Sequence, residues 1–132
     1  MFIDKPIAAS LTNTIAIFEL AAKNKVPVFS SSSLRYMSSV KEVVSGKIEN
    51  IIGADTYSPA TIEKTHPDLF WYGVHGVDPL FAVMGTGCKS LSCTYPESTD
   101  VCVGLWNDGR IGTLRGTRKG QSDFGGYAWR QR

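Results

Sequence analysis

The chain has 132 residues, enough for one hydrophobic core and too few for a two-domain cofactor enzyme. Hydrophobic residues make up 42%, charged residues 20% and aromatics 11%, which excludes wholesale disorder because the apolar area is enough to offset chain entropy. The 14 basic and 12 acidic residues leave a net charge of +2, too weak a field to name a nucleic acid or an anionic membrane as partner.

No apolar run approaches the roughly 18 to 20 residues that span a bilayer, so no membrane segment is predicted. Cys88, Cys93 and Cys102 are an odd number without CxxC spacing, and no basic stretch leads into an apolar segment at the N-terminus. Three free thiols in a reduced, cytoplasmic protein are expected. Their spacing to His66 and His75 contains no tight ligand pair, so no metal site is predicted.

Along the chain, Phe2 and Ile3 form an extended stub that stops at Pro6, and Ser10 offers an N-cap for a helix to about Lys23. Leu11, Ile15, Phe18 and Ala22 repeat at the spacing of one helix face. Val26 to Phe29 reads as a short buried strand, and the serine run after it reads as a loop whose last member, Ser33, caps a second helix. That helix carries Tyr36, Val40, Val43 and Val44 and ends at Gly46, a residue suited to a positive-φ C′ position. Ile48, Ile52 and Ala54 then alternate with polar residues as in a half-buried strand, closed by Ser58-Pro59. Pro67 at N1 and Asp68 in the first turn open the best amphipathic segment, whose stripe of Phe70, Val74, Val77, Phe81 and Met84 is assigned to the core.

Beyond Gly85 the pattern turns strand-like. Leu91, Cys93 and Tyr95 alternate with polar residues. Val101, Val103 and Leu105 alternate with Cys102, Gly104 and Trp106. Asn107-Asp108-Gly109 marks a hairpin leading into Ile111–Thr117, and a last strand covers about Phe124 to Trp129. Helices first and strands afterwards predict an α+β fold, a mostly antiparallel open sheet with helices packed on one face. The other face would carry Trp106 and Trp129 and pair two copies of the chain into a homodimer.

Chemistry-bearing residues are few. On the long amphipathic segment His75 and Asp78 are neighbours at i, i+3, where a carboxylate can raise the histidine pKa and orient its ring as a general acid or base. On composition alone such a pair more often merely caps or faces solvent. No glycine-rich turn opens a helix, so dinucleotide phosphates have no seat. The basic C-terminal quarter, from Arg110 to Arg132, reads as a solvated face, and no nucleic-acid partner is predicted.

Phe-Ile-Asp-Lys5-Pro6, the helix after it, Val-Pro-Val-Phe-Ser-Ser-Ser-Ser-Leu-Arg35-Tyr and Trp71-Tyr-Gly-Val-His75-Gly-Val-Asp78 together resemble the glucose-fructose oxidoreductase/inositol dehydrogenase (Gfo/Idh/MocA) family over essentially the whole chain. Members combine a Rossmann domain that binds NAD or NADP with a C-terminal α/β domain, and this chain resembles the second. The resemblance implies a single domain over residues 1–132, with 1–6 a remnant of the last Rossmann strand. It implies that Lys5, with Pro6 beside it, contacts substrate and nicotinamide, and that His75 exchanges a proton with the substrate hydroxyl. Aspartate replaces the family's glutamate at Asp4, and Trp71 stands where many members have an aspartate. Arg35, Trp71 and Asp78 are the remaining candidates for substrate contact. The expected function is that of a partial NAD(P)-dependent oxidoreductase for sugar- or polyol-like compounds, with no dinucleotide bound to this chain and a separate Rossmann-domain polypeptide as a possible partner. The rival expectation is a non-enzymatic oligomerisation or small-ligand-binding module.

Overall fold

The computed structural model describes residues 1–131. Ser10 caps helix α1 (Leu11–Lys23), its hydroxyl accepting the Asn13 N–H at 3.2 Å, and Lys23 stands in the last turn against the negative end of the helix. The helix forms where its apolar spacing puts it, yet that stripe enters no core. None of its side chains is buried, and Leu11 is 72% exposed.

On either side of α1 the chain is extended. Phe2 and Phe29 pair in parallel, with Ile3 N–H donating to the Phe29 carbonyl and Phe29 N–H to the Met1 carbonyl, both at 3.1 Å. The predicted buried strand at Val26–Phe29 is therefore one exposed bridge. A parallel pair with a single crossover helix offers no second layer to bury it.

Ser32, rather than Ser33, is the capping serine. Its Oγ accepts the Leu34 N–H at 3.1 Å at the head of a 3-10 turn, Ser33–Tyr36, and helix α2 (Ser38–Val44) comes next with Val40 as its buried residue. Strand β1 (Ile51–Pro59) leads to a 3-10 turn at Asp68–Phe70 and then to helix α3 (Val74–Met84). Pro67 thus precedes a separate turn instead of opening the helix. Strands β2 (Cys88–Thr94), β3 (Thr99–Trp106), β4 (Ile111–Thr117) and β5 (Gly125–Arg130) complete the chain.

The five strands form one sheet in the order β2-β3-β4-β1-β5, antiparallel except for the β1/β4 pair, with α3 packed on β1 and β4 and α2 beside α3. The fold is α+β as expected, and the turn glycines Gly46 and Gly109 have φ of 75° and 86°.

Only part of the predicted stripe of α3 meets the sheet, since Met84 is core and Val77 packs against that core. Gly76, Pro79, Leu80 and Met84 are buried, while Phe70 and Phe81 remain exposed. Gly76 explains the rotation. A β-carbon there would lie 2.5 Å from Leu114 Cδ1 and 2.9 Å from Ser58 Oγ, so the helix comes closest to the sheet where it has no side chain. Thr56 Oγ1 fastens this contact by donating to the Gly76 carbonyl at 3.0 Å.

Trp106 is likewise on the covered face, 1% exposed, in the core with Ala54, Leu80, Met84, Cys102 and Leu114. Its ring lies over Gly104 and Gly112, where β-carbons would come within 2.8 and 2.9 Å of it, and its Nε1–H donates to the Gly85 carbonyl at 3.0 Å. Period-2 alternation identifies two sets of side chains but not which set is inside. The uncovered face carries Val103, Ile111, Tyr127 and Trp129.

The thiol expectation fails at one pair. Cys93 and Cys102 are register partners on β2 and β3 and form a disulfide, leaving Cys88 as the free cysteine. Direct cross-strand opposition brings the two β-carbons together without any CxxC spacing. The odd count is then one bridge and one thiol, and it is no longer a ground for assigning a reducing compartment. Among the described residues no helix is long and apolar enough to cross a membrane, and no group of His, Cys, Asp and Glu could hold a metal ion.

Candidate functional site

Lys5, Ser32, Arg35 and the N-terminal half of α3 converge on one region. Lys5 arrives on the stub before α1, beyond which the Lys5–Pro6 peptide is cis. Its Nζ donates to the Trp71 carbonyl at 3.0 Å and lies 4.9 Å from the Trp71 ring centroid and 5.7 Å from that of Tyr72. Both distances are within the range of cation–π attraction.

His75 lies edge-on to Tyr72 at 5.1 Å between centroids, and Phe124 completes a triangle of rings at 5.9 Å from the imidazole and 6.2 Å from Tyr72. His66 packs on Trp71 at 4.8 Å. The histidine is therefore held among aromatic rings with one cation nearby.

Asp78 does not orient His75. Its Oδ2 accepts the Ser32 N–H at 2.8 Å and its Oδ1 pairs with Arg35 Nε at 3.1 Å, so its polar contacts go to the Ser32–Arg35 segment. The group that meets the imidazole is the Ser32 hydroxyl, 2.7 Å from Nδ1. The upward pull of Asp78 on the His75 pKa is present but outweighed. Burial, then the Lys5 ammonium, hold it below its ordinary value of 6.5 against smaller pulls from Asp4 and Asp78.

Lys5, Trp71, His75, Arg35 and Asp78 are thus all brought together, with Arg35 and Asp78 engaged with each other. Pro6 joins Lys5, Ser32 and Asp78 on the wall of a cavity of about 400 Å³ that Phe70 and the α3 residues Val74, Val77 and Phe81 also line. Sequence reasoning missed Ser32, Tyr72 and Phe124. Ser32 is one of four consecutive serines, with nothing local to distinguish it, and Phe124 reaches His75 from just before β5, far along the chain.

No protein-family profile and no curated protein matches the sequence. Solved structures do. UDP-N-acetylglucosamine 3-dehydrogenase GnnA from Acidithiobacillus ferrooxidans superposes with a TM-score of 0.79 at 11% identity, over 98% of this chain and 45% of its own. GenD2 from gentamicin A biosynthesis, in complex with NAD, gives 0.77 at 12% over 93% and 43%. Aldose-aldose oxidoreductase from Caulobacter crescentus, complexed with glycerol, gives 0.72 at 12% over 88% and 42%. The chain spans about half the length, or less, of the solved chains it matches. At these identities the likeness is one of fold: the chain has the fold, over about half their length, of oxidoreductases of the kind that the glucose-fructose oxidoreductase/inositol dehydrogenase resemblance led us to expect.

Proposed function

We propose that these residues form the substrate-binding half of an NAD(P)-dependent oxidoreductase, acting on sugar- or polyol-like hydroxyl compounds when joined to a nucleotide-binding segment. The observation that carries this is convergence. Lys5 and His75, far apart in sequence, flank the same Tyr72 ring. An ammonium and an imidazole so placed can both address one substrate oxygen, while Trp71, Tyr72 and Phe124 offer apolar faces to a sugar ring.

The dinucleotide itself, NAD or NADP, does not fit these residues. A pyrophosphate needs free backbone amides at a glycine-rich helix start. Here Ser10 takes the Asn13 and Thr14 amides of α1, and Gly73 takes the Gly76 and Val77 amides of α3. The cofactor site therefore belongs to a segment outside the chain. Support for such a segment comes from α1, whose apolar stripe faces solvent, and from the Phe2–Phe29 bridge. Together they make a strand–helix–strand unit at the edge of a parallel sheet that a further segment, on this or a separate polypeptide, would complete. The matched structures are about twice as long. The uncovered sheet face, where Tyr127 and Trp129 stack at 6.0 Å, supports pairing of two copies.

The test is a titration of the ¹⁵N-labelled chain with inositols, hexoses and sugar acids, followed by amide shifts. Millimolar binding, about −4 kcal/mol, is expected, with shifts centred on Lys5, Trp71, Tyr72 and His75 and lost in Lys5→Met. Shifts centred elsewhere, or unaffected by Lys5→Met, would overturn the proposal.

A further inference from the structure

His75 has a partner that the proposed chemistry does not account for. Ser32 is 1% exposed, and its backbone N–H is spent on Asp78. Its hydroxyl oxygen already accepts the Leu34 N–H at 3.1 Å, which leaves the hydroxyl proton to be placed. Among the described residues the one other hydrogen-bonding atom within reach of that oxygen is His75 Nδ1, at 2.7 Å.

Two arrangements are conceivable. If Nδ1 carried the ring proton, Ser32 Oγ would accept twice and its own O–H would be buried without an acceptor, a cost of about 1–3 kcal/mol. If Nδ1 is bare, the serine donates to it and every group is satisfied. We propose that Ser32 is a positioning residue whose O–H donates to Nδ1 and so holds His75 as the neutral Nε2–H tautomer.

The consequence lies on the opposite side of the ring. Nε2 has no hydrogen-bond partner among the described residues, so its N–H is available to a ligand. On the function proposed above, which this step rests on, the imidazole presents a donor to a carbonyl or alkoxide oxygen rather than a lone pair that strips a hydroxyl proton. Lys5, beside the same Tyr72 ring, would reinforce the same polarity at that oxygen. Burial and the Lys5 charge both favour the uncharged ring that the arrangement requires.

The experiment needs neither substrate nor cofactor. The chain is labelled with ¹⁵N-histidine in a His66→Gln background, which leaves His75 as its one histidine, and two-bond nitrogen–proton correlations are recorded at pH 8. A bare-nitrogen shift at Nδ1 and a protonated-nitrogen shift at Nε2 are expected. Ser32→Ala should move both nitrogens toward the averaged values of a tautomer mixture, and Ser32→Thr should restore the fixed pattern. A purely structural serine would alter stability without moving these shifts. The reverse assignment in the His66→Gln chain, or an unchanged pattern in a folded Ser32→Ala variant, would overturn the proposal. Failure here is distinct from failure of the functional reading: a fixed Nε2–H tautomer without sugar binding overturns only the latter, and sugar binding with the reverse tautomer overturns only the role of Ser32.

Discussion

His75 sits where burial and a neighbouring ammonium both favour the uncharged ring, and that preference has a sign in stability. Its pKa in the folded chain lies below 6.5, so between the two values the unfolded chain binds more protons and stability falls as pH falls. Above 6.5 both states are neutral and the contribution is level. We expect the urea midpoint to drop as pH is lowered through about 6.5, and His75→Gln to remove that part of the slope. An unchanged slope in the variant would show that the ring is not desolvated. Asp108, also held low by its Arg110 contacts, titrates below 3.8 and does not enter this window. Neither the direction of the shift nor Ser32 was legible in the sequence. An i, i+3 carboxylate announces itself by spacing, but its engagement by Arg35 from another turn does not.

At the scale of elements, α3 illustrates how a helix can be recognised and its buried face still misassigned. Large apolar residues mark one stripe, but the closest contact with the sheet is made at Gly76, and of the stripe Met84 is core while Phe70, Val74, Val77 and Phe81 line a cavity. Gly76→Ala should gain about 0.5–1 kcal/mol in helix propensity and lose about 1–3 kcal/mol to overpacking against Leu114 and Ser58, both of which are buried. We expect a net loss, read as a lower urea midpoint, and a gain would show that the helix can lift from the sheet at no cost. The β2 edge makes a second point. Thiol titration of the denatured, unreduced chain should count one thiol, Cys88, and three after reduction. Three before reduction would remove the bridge. Closing a loop of about ten residues should make the oxidised chain more stable by about 2.5 kcal/mol.

For the molecule as a whole, two apolar surfaces remain uncovered: the outer side of α1, and the sheet face with Val103, Ile111, Tyr127 and Trp129, the last 53% exposed. An antiparallel sheet tolerates one open face, but aromatics gathered on it favour burial against a partner. We expect sedimentation at tens of micromolar to show a dimer and Trp129→Glu to shift it to monomer with the fold retained. If the wild-type chain sediments as a monomer, or the substitution leaves the dimer intact, pairing through this face is excluded. The α1 surface is a separate matter, since it continues the Phe2–Phe29 parallel pair and has the form of one layer of a larger sheet.

What the sequence determined by itself was largely local. Ser10 capping α1, the Asp108-Gly109 turn, the bounds of β4 and the α+β order of elements all derive from φ preferences, caps and periodicity, which act within a few residues. The resemblance carried in the Lys5-Pro6 and His75 segments led to the observed fold and to the residues that gather around Tyr72. Tertiary structure alone decided which set of alternating side chains faces the helices, so that Trp106 is core and Trp129 is not. It also paired Cys93 with Cys102, turned α3 onto Gly76, and placed Ser32 rather than Asp78 against His75. Each of these depends on what approaches from a distant part of the chain, and a local pattern records that a face or a polar atom exists without recording what will meet it.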